Sequence, residues 1–162
     1  MASLAVLGIG GNIANPLKNI ELALEKISQE IGKIDRTSGI YKTSPWGVEN
    51  QPEYLNAVVG VFTNLTPIEV LKNCLHIEKD LGRSRGSVGK WTERPIDIDV
   101  LYIDNLTIDT GELKVPHPHI PERKFVLIPM AEIYPDYCHP VLENTALELL
   151  ERCSDKGKVE KM

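Results

Sequence analysis

The densest run of chemistry-bearing residues is Arg94-Pro95-Ile96-Asp97-Ile98-Asp99-Val100-Leu101. In a strand, residues two apart share a face. Asp97 and Asp99 are therefore expected side by side, with Ile96, Ile98 and Val100 turned the other way. Two adjacent carboxylates repel each other, and a hard cation between them removes the conflict. Mg²⁺ takes oxygen ligands of this kind and keeps part of its water. The competing explanation is a half-buried strand with two solubilising aspartates outward. The residues just upstream, Arg83, Arg85, Lys90 and Arg94, shift the weight toward chemistry. Cations beside metal ligands suit a polyphosphate, whose oxygens need both. Gly82, Gly86 and Gly89 would let the 82–95 loop close over such a ligand. A solvated charged loop is the bland alternative.

Other candidates are weaker. Gly8-Ile9-Gly10-Gly11-Asn12 lies between a strand and a helix, but position 13 is Ile where the dinucleotide fingerprint needs glycine. The Gly-Lys-Ser/Thr ending of a phosphate loop is also missing. A tight turn needing bare backbone explains these glycines better. His117 and His119, with no Cys or further His nearby, are poor evidence for zinc. A contact to phosphate or a turn cap suits such a histidine better. Thr43, Trp46, Tyr54, Asn56 and Phe125 offer aromatic faces and an amide to a flat heterocycle. Taken singly, Tyr54 and Phe125 read as core residues.

Elements that would position these residues can be read along the chain. Ser3 to Ile9 is a short apolar run, as in a strand buried on both faces. Asn15-Pro16 starts a helix, with Leu17, Ile20, Leu24, Ile27 and Ile31 at helical spacing and Gly32 at its end. Ile34 to Tyr41 and Tyr54 to Phe62 read as strands, separated by a loop from Thr43 to Pro52. Thr66-Pro67-Ile68-Glu69 is a capping box, followed by Val70, Cys74, Ile77 and Leu81 on one helical face. Ile96 to Ile103 is a strand, and Leu106 to Ile108 is expected to return beside it. Phe125 to Ile133, despite Pro129, and Thr145 to Cys153 read as helices. The order β-α-β-β-α-β predicts a ferredoxin-like α+β fold, an antiparallel sheet flanked by helices in three layers. One domain over 1–162 is expected, with 155–162 a frayed tail.

A net charge of −5 argues against a nucleic-acid partner. Three widely spaced cysteines, Cys74, Cys138 and Cys153, suit reduced thiols in the cytoplasm. The N-terminus lacks a signal-peptide pattern, and no apolar run is long enough to span a membrane.

Lys90 to Leu101 resembles the signature of the 6-hydroxymethyl-7,8-dihydropterin pyrophosphokinases. Further stretches are similar in the same order: Tyr41 to Pro45, Gln51 to Asn56, Ile77-Glu78 with Gly82 to Arg85, and Pro116-His117-Pro118 through Arg123 to Leu127. The resemblance runs from Ala5 to about Leu150. It implies transfer of pyrophosphate from ATP to the pterin hydroxymethyl group, with release of AMP, in folate biosynthesis. It also implies two Mg²⁺ ions on Asp97 and Asp99. Arg85 and Arg94 would act as catalytic phosphate clamps, with Trp91, Glu78, Val100, His117 and Arg123 on the nucleotide side. Tyr54 and Phe125 would sandwich the pterin, with Thr43, Asn56, Pro45, Trp46 and Asp97 around it. A monomer is expected, with no nucleic-acid or membrane partner. The chain departs from the family at Gly11, often Ser, at Thr92, usually Gly or Ala, and at Glu112, where Arg can stand. A nucleotidyltransferase also uses a glycine pair and an Asp-x-Asp, but there the two motifs lie close together. A ferredoxin-like regulatory or RNA-binding module is the non-enzyme alternative, since a fold alone does not set function. Few aromatics and an acidic balance disfavour the RNA binder.

Overall fold

Nine residues of apolar or small character, Ser3–Gly11, form strand β1 at the interior of a six-stranded sheet. The computed structural model describes residues 2–43, 53–83 and 95–162. β1 pairs antiparallel with β4 (Tyr54–Thr63) on one side and β5 (Asp97–Ile103) on the other. Beyond β4 lie β2 (Lys33–Thr37) and β3 (Tyr41–Thr43), and β8 (Val159–Lys161) closes that side.

Helices cover both faces, and side-chain caps start the first two in the chain. The Asn15 side chain accepts from Lys18 N at the head of α1 (Pro16–Glu30). Thr66 and Glu69 cap each other's backbone N–H at the head of α2 (Pro67–Arg83). Ile20, Ile27, Val70 and Ile77 from these helices bury against Leu7, Ile9, Val59 and Ile98. On the opposite face α3 (Lys124–Ile133) and α4 (Ala146–Arg152) bring Leu127, Met130 and Leu149 against Val6, Val58 and Leu101. The result is the expected three-layer α+β arrangement with ferredoxin-like strand order. Pro129 lies inside α3, forgoing a single helical bond to the carbonyl four residues earlier.

Four expectations are corrected. The 34–41 strand breaks in two, because Ser38 Oγ accepts from Val58 N and the Gly39 N–H turns to Glu132 of α3. Leu106 to Ile108 does not return beside β5, whose outer edge at Leu101 O is taken by His117 N. Instead β6 (Ile108–Asp109) pairs with β7 (Lys114–Val115) as a separate hairpin. Residues 159–161 are not frayed: β8 pairs with the whole of β3, placing Val159 opposite Thr43 and Lys161 opposite Tyr41. The glycines of 8–11 form no tight turn; they continue β1. Among the described residues, no helix is long and apolar enough to cross a membrane.

Candidate functional site

The glycines of β1 lie in the middle of the site. Gly10 is opposite Asn56 on β4 and opposite Asp97 on β5. Gly8 is likewise flanked by Val58 and Asp99. A Cβ at Gly10 would stand 2.5 Å from Asn56 Oδ1, so only a bare backbone lets the amide lie across β1. Asn56 is buried and donates through Nδ2 to Thr43 Oγ1 at 3.1 Å. Tyr54 and Asn56 alternate onto this face, while Leu55 and Ala57 enter the core beneath α1 and α2.

These residues line a cavity of about 690 Å³. Thr43, Tyr54 and Asn56 line it from the β3–β4 side, and Asp97 and Asp99 from β5. Arg123 and Phe125, at the entry to α3, and His117 and His119 complete it. The two aspartates share a face, and β5 becomes irregular further along. The register against β1 shifts between Val6 and Leu7, which sends both Leu101 and Tyr102 to the α3 side.

The electrostatics are mixed. Arg123 Nη1 is 3.6 Å from Asp99 Oδ2, and its guanidinium carbon is 5.7 Å from the Phe125 ring centroid. That pose joins a cation to both a carboxylate and an aromatic face. Burial holds the His117 ring below its ordinary pKa; Asp99 opposes this, while Arg123 and His119 add to it. His117 Nδ1 accepts from His119 N at 3.2 Å, so the neutral ring carries its proton on Nε2. His119 Nδ1 in turn is 3.1 Å from Glu122 Oε2. The two histidines are thus engaged as turn and surface partners, the role expected over zinc ligation.

Asp97 is exposed and Asp99 about half-exposed, both toward the cavity. Among the described residues, no group of three or more His, Cys, Asp or Glu gathers to hold a metal. Two accessible carboxylates do fit Mg²⁺, which is commonly bound through one or two carboxylates, waters and substrate phosphates.

Glu78 and Val100 are among the residues expected on the nucleotide side, and neither lines the cavity. Glu78 is buried on α2, and its Oε2 accepts from Ile98 N at 2.7 Å, between the two aspartates. Val100 is in the core under α1 and α2. Cys74, one turn before Glu78, has its thiol pushed up to about 12 by burial, with Glu78 and Asp99 adding to the effect. Glu112 is exposed between β6 and β7. At Gly11 a Cβ would meet the Pro95 carbonyl oxygen at 2.6 Å, so this backbone has no room for the family's serine. Pro45, Trp46, Arg85, Trp91, Thr92, Arg94 and the rest of the glycine-containing basic loop from 84 to 94 lie outside the described residues.

Sequence reasoning missed Gly8, Ile9, Gly10, Ala57, Val58, His119 and Val126 as lining residues. A signal existed for the glycines: they alternate in an apolar strand with the same period as the aspartates. His119 stood in a motif weighed for zinc and for a phosphate contact or turn cap, and not as a cavity residue.

Comparison with known proteins gives concordant results. The family model described as 7,8-dihydro-6-hydroxymethylpterin-pyrophosphokinase matches residues 6–135. A 2-amino-4-hydroxy-6-hydroxymethyldihydropteridine pyrophosphokinase of Aquifex aeolicus is 39% identical over 135 residues, covering 83% of this chain and 82% of that one. The protein of the same name from Haemophilus influenzae is 35% identical over 154 residues, covering 93% of each. The crystal structure of wild-type Plasmodium falciparum HPPK-DHPS superposes with a TM-score of 0.79 at 18% identity. It covers 94% of this chain, which spans 45% of that longer one, and the likeness speaks for the fold.

Proposed function

The chain belongs to the 7,8-dihydro-6-hydroxymethylpterin-pyrophosphokinase family, and we propose that the cavity between β4, β5 and the entry to α3 is where it acts. It transfers pyrophosphate from ATP to the hydroxymethyl group of the dihydropterin in folate biosynthesis. One observation carries the placement. Two carboxylates on β5 and an amide with aromatic company on β4 face one cavity across bare glycine backbone.

The residues divide the work accordingly. Tyr54 and Phe125 hold the faces of the pterin, and Asn56 and Thr43 read its edge, with Pro45 and Trp46 beside them. Asp97 and Asp99 hold the metal, and Asp97 also borders the hydroxymethyl arm. Mg²⁺ bound there would polarise the transferred phosphate and lower the pKa of the attacking alcohol. Arg123, His117, Arg85 and Arg94 bind phosphate oxygens, with Trp91 nearby, and neutralise charge that grows in the transition state. Glu78 supports the metal strand from behind, through Ile98 N. The hydroxymethyl oxygen attacks the β-phosphorus and AMP leaves. We place the enzyme in the cytoplasm, acting as a monomer; its three unpaired cysteines are in keeping with a reducing compartment.

The test is nucleotide chromatography after mixing protein, Mg²⁺–ATP and 6-hydroxymethyl-7,8-dihydropterin, beside Asp97→Ala. AMP and a pyrophosphorylated pterin, formed only with Asp97 intact, are expected. ADP in place of AMP would overturn the β-phosphorus assignment, and turnover by Asp97→Ala at the normal rate would remove the metal role.

A further inference from the structure

We infer that Glu132, which lines no part of the cavity, is a positioning residue that sets the pterin slot by tying β3 and β8 to α3. The inference rests on the pterin site proposed above.

β3 is three residues long, and its register against β4 puts Thr43 opposite Tyr54 and Tyr41 opposite Asn56. So short a ladder contributes few bonds, and the chain breaks just before it at residues 38–40. What holds it comes from elsewhere. Glu132 Oε1 accepts from Tyr41 OH at 2.7 Å and from Gly39 N at 3.1 Å. Glu132 Oε2 accepts from Lys161 Nζ at 3.3 Å. β8 then lies along the outer edge of β3, and Met162 N donates to Ile40 O at 2.8 Å.

One carboxylate therefore fastens both β3 and β8 to the last turn of α3. The first turn of that helix carries Phe125. Phe125 and Thr43 line the same cavity from opposite elements, so the tie fixes the separation of its two walls. Burial opposes the charge on Glu132, but the bonds from Tyr41, Gly39 and Lys161 outweigh it and keep the carboxyl below its ordinary pKa. Helix α3 itself does not depend on Glu132 for packing, since Leu127, Met130 and Ile133 are buried without it.

The experiment compares wild type, Glu132→Ala, Glu132→Gln and a chain lacking residues 158–162. Steady-state kinetics are measured for each substrate, with pterin Kd from fluorescence and Tm for each protein. Glu132→Ala is expected to raise KM and Kd for the pterin about tenfold, leaving kcat and the ATP KM within twofold. Glu132→Gln keeps acceptors for Tyr41 and Gly39 and should recover most of the loss. Removing 158–162 should reproduce the pterin-selective pattern. If Glu132→Ala does not fold, Tyr41→Phe and Lys161→Ala each cut one tie and should weaken pterin binding selectively by a few-fold. A lowered Tm with unchanged pterin KM and Kd would overturn the inference, as would equal losses for both substrates. Wild type that binds no pterin would overturn the functional proposal and this inference together. Wild type that binds it while the variants bind equally well would overturn this inference alone.

Discussion

Asp97 and Asn56 occupy one row of the sheet, on either side of Gly10. Neighbouring strands are about 4.8 Å apart, so the two backbones stand roughly 10 Å from each other. On the function proposed above, that span suits a bicyclic ring whose edge would be read at one end and whose arm would meet a metal at the other. Gly10→Ala should break this relationship, because the added methyl would displace the Asn56 amide from its place 2.5 Å away. We expect the pterin KM to rise about tenfold or more, the loss of a buried, oriented hydrogen-bonding group costing about 1–3 kcal/mol. The ATP KM should change far less. Equal effects on both substrates would sink the division of the cavity proposed above.

Asp99→Asn separates chemistry from stability. The Asp99–Arg123 pair is partly exposed and 3.6 Å apart, so its loss should cost no more than about 1 kcal/mol of stability. The metal requirement should change much more. A tenfold or greater rise in the Mg²⁺ concentration for half-maximal rate is expected, with kcat down about a hundredfold, on the order of a lost electrostatic contact in the transition state. A normal Mg²⁺ dependence would remove Asp99 from the metal site.

His139 should give the fold an acid-sensitive point. Its Nδ1 accepts from Val141 N at 3.1 Å and Leu142 N at 3.0 Å, and burial holds its pKa below 6.5. The unfolded chain takes up the proton first, from about pH 6.5 downward. This contribution to stability is therefore complete above that pH and is lost as pH falls toward the folded pKa. In His139→Asn the side-chain oxygen can cap the same turn without titrating. Its Tm should fall less than that of wild type between pH 6.5 and 5. Parallel curves for the two proteins would show that His139 does not titrate in this way.

Gly60 tests the same face of the sheet further along β4, under the end of α3. A Cβ there would run into the Tyr134 hydroxyl, which donates to Asp35 Oδ2 at 2.8 Å. Overpacking of this kind costs about 1–3 kcal/mol or more, or roughly 2–10 °C in Tm for a domain of this size. Gly60→Ala should melt accordingly earlier, and an unchanged Tm would mean that Tyr134 has an alternative position at no cost.

The legible parts of the fold were those governed by neighbours in the chain. Asn15 and Thr66 announced α1 and α2 because a cap bonds two or three residues ahead. Asp97 and Asp99 were legible as a pair because a strand repeats every two residues. The break at residues 38–40 was not, since it depends on Val58 and on Glu132, 93 residues from Gly39. Nor was β8: a three-residue polar strand has no periodicity to read, and it exists because β3 leaves an edge open.

By its sequence alone, then, this chain determined its family, its β-α-β-β-α-β order apart from the break in the second strand, and the candidate residues for the site. The element order and the paired aspartates follow from local periodicity, capping and spacing, which act within a few residues, whereas the family and the roles expected with it rest on the resemblance of several motifs in the same order. Only the tertiary structure decided that Gly10 separates Asp97 from Asn56, that Glu78 bonds to Ile98 behind the two aspartates of β5, and that Glu132 joins β3 to α3. These contacts join residues 20 to 91 positions apart, or up to 87 across the Gly10 row, and depend on which edges and faces remain open once the sheet has formed.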